Sequence, residues 1–120
     1  MSPGARTVAI FGVYVIAVGA TVALLPGVVL ATLDMPPTDE PWIHLVGWLA
    51  IVIGVYYLAG ARAEAIPFLR ASVPVRCASA VVFVVIAAVW GYPTAALFAL
   101  PDLAGALWTW TALRRPAPAT

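Results

Sequence analysis

The chain alternates long apolar stretches with short polar ones. Residues 8–30 carry no charge and would extend roughly 34 Å as a helix, enough to cross a bilayer with tilt. A second apolar run covers 42–60, a third covers 75–90 and a fourth 94–113, the last interrupted by Pro101 and Asp102. The third reaches bilayer length if its helix begins near Ser72 and Arg76 snorkels to the inner surface. Pro26 lacks the N–H that would meet the Val22 carbonyl, so the outer end of the first helix should bend or loosen.

The polar connections differ in character. Residues 31–41 gather Asp34, Asp39 and Glu40 with Pro36, Pro37 and Pro41, which reads as a rigid aqueous loop. Thr38 is placed to N-cap the second helix, with Asp39 and Glu40 in its first turn facing the positive end of the helix dipole. Residues 61–76 set Arg62, Arg70 and Arg76 against Glu64, and Ile66, Phe68 and Leu69 would dip into the acyl boundary, giving an interfacial elbow. Gly91, Tyr92 and Pro93 form a turn, Arg114 and Arg115 close the fourth helix, and 116–120 reads as a disordered tail.

Small residues mark helix contacts. Gly19, Ala23 and Gly27 recur every fourth position in the first run, and Gly47, Ala50 and Gly54 line one stripe of the second. Trp42 at one end of the second run, Tyr56 and Tyr57 toward the other, and Trp108 and Trp110 near the end of the fourth match aromatic belts at headgroup depth. Arginine loops alternate with the acidic loop, so the positive-inside rule puts both termini on the cytoplasmic side. The pattern predicts one all-α domain over 1–120, a membrane-spanning antiparallel four-helix bundle with short loops between neighbours.

Composition strengthens this picture. The 120 residues are 64% hydrophobic and 9% charged, against ~25% charged in a soluble globule, so the bilayer is the natural solvent. A net charge of +1 is too small to attract nucleic acid. Lone Cys77 has no partner for an intramolecular disulfide or a zinc site and reads as a small packing residue. Lys, Asn and Gln are absent, which fits a high-GC bacterial coding bias.

Asp102 is the most informative residue. A carboxylate in hydrocarbon costs on the order of 2.5–3.5 kcal/mol, so it must be protonated, paired or facing a wet cavity. Helical rise places Thr21, Trp48 and, less deeply, His44 near its level, a candidate intramembrane polar cluster of Asp102, His44, Trp48 and Thr21. The alternative is structural: Pro101 followed by Asp102 is an ordinary helix start, the carboxylate facing the first N–H groups of a helix that begins there. No phosphate loop, paired catalytic carboxylates, nucleophile elbow, haem-ligand pair or metal cluster appears, which argues against a catalyst and calls for no cofactor or metal.

Three stretches resemble small bacterial four-helix membrane proteins of the BphX-like kind, a group related in pattern to DoxX-like proteins. They are MPPTDEPWIHLVGWLAIVIGVYYLAGAR at 35–62, FLRASVPVR at 68–76 and DLAGALWTWTALRR at 102–115. The resemblance implies a four-span inner-membrane protein found among genes for aromatic-compound breakdown, without an established activity, and it carries over no catalytic residue.

The residues favour a non-catalytic accessory or scaffold subunit that sits in the lipid bilayer and packs as a homo-oligomer or within a larger membrane complex. Two alternatives stay open. One is an oligomeric carrier or pore for a small apolar or weakly acidic compound, which requires a cavity reaching Asp102. The other is a quinone- or lipid-linked enzyme, which requires Asp102 and His44 to converge on one pocket.

Overall fold

The computed structural model describes residues 1–114, so Arg115 and the tail lie outside the described residues. These residues form helices α1 (Pro3–Leu24), α2 (Pro26–Thr32), α3 (Trp42–Arg62), α4 (Ile66–Trp90), a 3₁₀ segment (Pro93–Phe98) and α5 (Ala99–Leu113). Four rods are long and apolar enough to cross a membrane: α1, α3, α4, and the 3₁₀ segment continued by α5. Their outer faces leave side chains such as Val13, Val81, Val85, Val89 and Leu107 exposed, the distribution expected when the surroundings are lipid.

Several boundaries differ from the sequence expectation for local reasons. The first helix starts at Pro3 rather than at residue 8, because Ser2 caps it, its Oγ accepting from the Ala5 N–H at 3.2 Å, and Pro3 suits the first turn. It does not run to residue 30. Leu25, forced out of the α region by Pro26, sits at φ −132° and ψ 56°, and the chain restarts as α2. Thr38 does not cap α3, whose first residue is Trp42 after Pro41. Instead its Oγ1 accepts from the Glu40 N–H at 3.2 Å, closing a turn two residues long, and Asp39 and Glu40 lie before the helix.

The interfacial elbow is helix. α4 begins at Ile66, with Pro67 tolerated in its first turn, and Pro74 lies inside it. Leu69 is fully buried, and Phe68 packs edge-on against Tyr57 and over Gly60, so these residues face protein rather than lipid. Only Ala63, Glu64 and Ala65 separate α3 from α4. Glu64 takes a left-handed φ of 51°, which lets the Ala65 N–H reach the Gly60 carbonyl at 3.1 Å. Asp34 does the same at the end of α2 with φ 56°, the Met35 N–H reaching the Leu30 carbonyl at 2.8 Å. Gly91, at φ 76°, ends α4.

α1 is the central rod. α3 packs along one side of it and α5 along another, α4 leans on α5 and the 3₁₀ segment, and α3 and α4 scarcely touch beyond their connecting turn. The α1–α3 contact is backbone on backbone. A Cβ on Gly19 would stand 2.6 Å from the Gly47 carbonyl oxygen, and one on Gly54 2.7 Å from that of Gly12. The paired positions climb α1 as they descend α3. The row on α1 is therefore Gly12, Gly19 and Ala23, and Gly27, with nothing within 4 Å of such a Cβ, is not part of it because the chain has turned away at Leu25.

Arg6, Arg62, Arg70 and Arg114 belong to the end where α1 and α4 begin and α3 and α5 finish, joined by the cluster of Ala5, Val8, Ala61 and Leu69. Glu64 completes the cap of α1 across this end. Its carboxylate accepts from the Ser2 N–H at 2.6 Å and from the Ser2 hydroxyl at 2.7 Å. In an ordinary capping box the glutamate comes from the same helix; here it comes from the turn after α3.

Those two bonds hold the Glu64 carboxyl below the usual carboxylate range. A depressed folded-state pKa means that the clasp is fully present above the unfolded value, ~4.3, and is lost as pH falls through the lower folded one. Protection of the α1 N-terminal amides against hydrogen exchange, relative to their intrinsic rates, should therefore fall below about pH 4. Glu64→Gln should lose that pH dependence; an unchanged pH profile in this variant would disprove the assignment.

Candidate functional site in the helix interior

The buried face of α4 is built from Leu69, Ser72, Arg76, Ala80 and Ala87, and that of α5 from Ala99, Asp102, Ala106, Thr109 and Ala112. Small side chains at most of these positions leave room for the few polar ones. Arg76 does not snorkel: it is 2% exposed, enclosed about 15 Å along α4 from Ile66. Helical side chains lean toward the start of their own helix. That lean brings the guanidinium back over Ser72, where Nε donates to the Ser72 carbonyl at 3.2 Å and Nη2 to Ser72 Oγ at 3.1 Å.

The same Nη2 donates to Thr109 Oγ1 at 2.7 Å. Thr109 Oγ1 stands 2.7 Å from Thr7 Oγ1, which donates to the Gly4 carbonyl at 2.7 Å. Because Thr7 has spent its proton on Gly4 and Thr109 accepts from arginine, the Thr109 hydroxyl must donate to Thr7. A directed chain thus runs from α4 through α5 to α1. The guanidinium also lies 4.8 Å from the centroid of the Phe11 ring.

One donor is left over. Arg76 Nη1 is buried and has no hydrogen-bond partner among the described residues. It lies against the bare backbone of Gly105, 3.1 Å from where a Cβ would stand. One turn earlier on α5 is Asp102, 8% exposed, which together with Arg76 lines a cavity of about 420 Å³. Phe11 and Tyr14 of α1, Tyr57 of α3, Ser79 and Phe83 of α4, and Phe98 complete much of its wall. A larger hollow of about 660 Å³ toward the proline-rich loop adjoins it, with Val18, Ala50, Phe83 and Phe98 lining both. The shared Phe83 and Phe98 rings stand 5.9 Å apart.

Opposite charges facing one cavity leave it neutral overall, the condition that an apolar medium would impose, since each charge alone is costly there. The cavity is bounded by a guanidinium that keeps one unpartnered N–H, a carboxylate and two phenols, among aromatic walls. It can hold a small molecule with one polar end.

The four residues expected to form a polar layer are not brought together. Asp102 is at the cavity, but the α-helix carrying it starts at Ala99 rather than Pro101, because the 3₁₀ segment already supplies the turn; Asp102 remains in the first turn without a capping bond. His44 is exposed, and its Nδ1 lies 2.5 Å from the Ala23 carbonyl. The break at Pro26 leaves α1 without its next turn, so His44 acts as a donor to a helix end. Ala23 is roughly 13 Å further along α1 than Tyr14, which keeps the imidazole well away from Asp102. Thr21 is exposed and donates to the Ala17 carbonyl at 2.9 Å, and Trp48 is 57% exposed on the face of α3 away from its glycines.

Arg76, Tyr14, Ser72, Thr7 and Thr109 follow a pattern along the chain, and Tyr57 does not. Polar residues recur seven apart on α1 (Thr7, Tyr14) and on α5 (Asp102, Thr109), and at 72, 76 and 79 on α4. These spacings put them on single helix faces, the faces that meet.

No protein-family model, curated protein or solved structure matches this chain.

Proposed function

We propose that the chain is a multi-pass inner-membrane carrier or binding protein for a small, largely apolar compound with one weakly acidic or hydrogen-bond-accepting group, held in the cavity between Arg76 and Asp102. The supporting observation is the orphaned Nη1 of a fully buried arginine beside an aromatic-walled cavity. A buried donor without a partner costs ~1–3 kcal/mol, more when charged, which an acceptor from a ligand would relieve. The volume lies within the ~300–1,000 Å³ of ordinary ligand sites.

In this reading the helices form an antiparallel bundle. Both termini and the α3–α4 turn lie in the cytoplasm, the arginine-bearing end inward and Asp34, Asp39 and Glu40 outward. Arg76 drops out of that charge count, and Arg6, Arg62, Arg70 and Arg114 keep its sign. The BphX-like resemblance belongs to this proposal and rests on the residues quoted for it. An accessory role drew its support from the glycine rows, and Gly12, Gly19, Gly47 and Gly54 are occupied between α1 and α3 of the same chain. A quinone- or lipid-linked enzyme built on Asp102 and His44 lacks the required convergence.

The test is binding of benzamide, benzoate and octanoate to the full chain in lipid nanodiscs. At least one should bind saturably, and Ser79→Trp, which fills the cavity wall, should weaken binding at least tenfold while leaving thermal stability in place. Failure of all three to bind, or indifference to Ser79→Trp, would reject the site.

A further inference from the structure

The charges around the cavity decide what kind of molecule fits and what must accompany it. Four titratable groups face it: Tyr14 from α1, Tyr57 from α3, Arg76 from α4 and Asp102 from α5. The thiol of Cys77 adjoins Arg76 in sequence and is half-buried. Phenols titrate near 10 in water and arginine stays charged throughout, so the carboxylate is the group able to change charge in the ordinary range.

The empty site is neutral, one guanidinium against one carboxylate. A neutral apolar guest would leave the pair as it is and leave Nη1 unfilled. A guest with a carboxylate can give Nη1 the acceptor it lacks, and a charge-assisted bond of this kind is about twice as strong as a neutral one. It would also raise the count to two negative charges against one positive in a setting where net charge is expensive. Neutrality returns if one proton from water enters with the anion. Resting on the carrier reading above, we propose that this site takes a small monocarboxylate with an apolar body and one proton together, the anion on Arg76 Nη1 and the proton on Asp102. The step breaks no covalent bond other than that of the incoming proton: the guest carboxylate and the proton enter, Asp102 becomes the neutral acid, and the net charge is zero before and after.

Geometry favours this assignment over a neutral ligand at two points. Nη2 and Nε are spent on Ser72 and Thr109, so the guanidinium is fixed in place with only one edge free. Gly105, having no side chain, lets that edge lie directly against α5, and the carboxylate one turn away makes no hydrogen bond to Nη1. An aromatic acid and a short fatty acid share the chemistry, and the probes separate them.

The experiment measures binding of benzoate, octanoate and the neutral isostere benzamide to the nanodisc-embedded chain, with proton uptake read from calorimetry in buffers of different ionisation enthalpy. A carboxylate probe is expected to bind with one proton, its apparent affinity falling tenfold per pH unit from about pH 6 to 8. Octanoate binding without benzoate would assign the fatty-acid class, and the reverse the aromatic one. Asp102→Asn should bind without proton uptake and without that slope. This variant also separates the proposal from entry of the guest as its neutral acid, which would keep the slope and overturn the assignment to Asp102. Arg76→Gln should weaken the carboxylate at least tenfold and benzamide several-fold less, since only the carboxylate loses a charge-assisted bond, and an unchanged helical circular-dichroism spectrum reports that the variant has folded. If benzamide binds as well as benzoate and no proton is taken up, this inference fails and the carrier reading stands. If none of the three binds, both fail.

Discussion

Gly47→Val should part α1 from α3 and cost about 3 kcal/mol or more, the upper range of overpacking penalties. The reason is what the new side chain would meet. A Cβ at Gly47 would stand 2.6 Å from the Gly19 carbonyl oxygen and 2.8 Å from Ala23 Cα, and backbone cannot rotate aside as a side chain can. Gly19→Val should do the same from the other helix, since its Cβ would lie 2.8 Å from the Ile51 nitrogen. In lipid there is no hydrophobic force between helices to re-form the contact at a greater distance, so close approach is much of what holds the pair. Unfolding in mixed micelles measures the loss. Gly27→Ala is the control: nothing lies within 4 Å, and removing a helical glycine should gain up to ~1 kcal/mol. Equal behaviour of Gly47→Val and Gly27→Ala would refute the backbone contact.

Arg76→Met is expected to cost about 3–5 kcal/mol, the penalty for removing one partner of a buried charge pair. Three donor bonds go, the Phe11 ring loses its cation, and Asp102 is left facing an apolar cavity. The double variant Arg76→Met/Asp102→Leu should be less destabilised than the sum of the single variants by about 1–3 kcal/mol, because neither charge is then stranded. Strict additivity in this cycle would show that the two groups do not sense each other. Thr109→Val offers a milder cut, removing the hydroxyl that links Arg76 to Thr7.

Much of the fold could be read along the chain because it is set locally. Hydropathy fixed the four apolar rods, and proline and glycine set several of their ends: Pro26 by its missing N–H, Gly91 by its positive φ. Other ends were misread where two local signals conflicted. Arg62, Arg70 and Arg76 suggested an interfacial elbow over residues 61–76, yet α4 runs from Ile66 with Pro74 inside it, because a single proline in an apolar helix is tolerated when neighbours pack around it. Glu64 and Asp34 end helices in a conformation usually left to glycine, and no composition rule would select them.

The candidate site was half visible. Asp102 stood out because an acid among apolar residues demands a reason, and a cavity does reach it. His44, Thr21 and Trp48 were grouped with it by depth alone, and depth does not fix azimuth around a helix. Hydropathy, proline and charge act over a few neighbouring residues, and they set how many apolar helices form and which residues are costly to bury. The inward turn of Arg76 was settled by packing, because its partners Phe11, Gly105 and Thr109 come from other helices far along the chain. A charge at a helix face goes to water or to protein according to what the adjoining helices offer it.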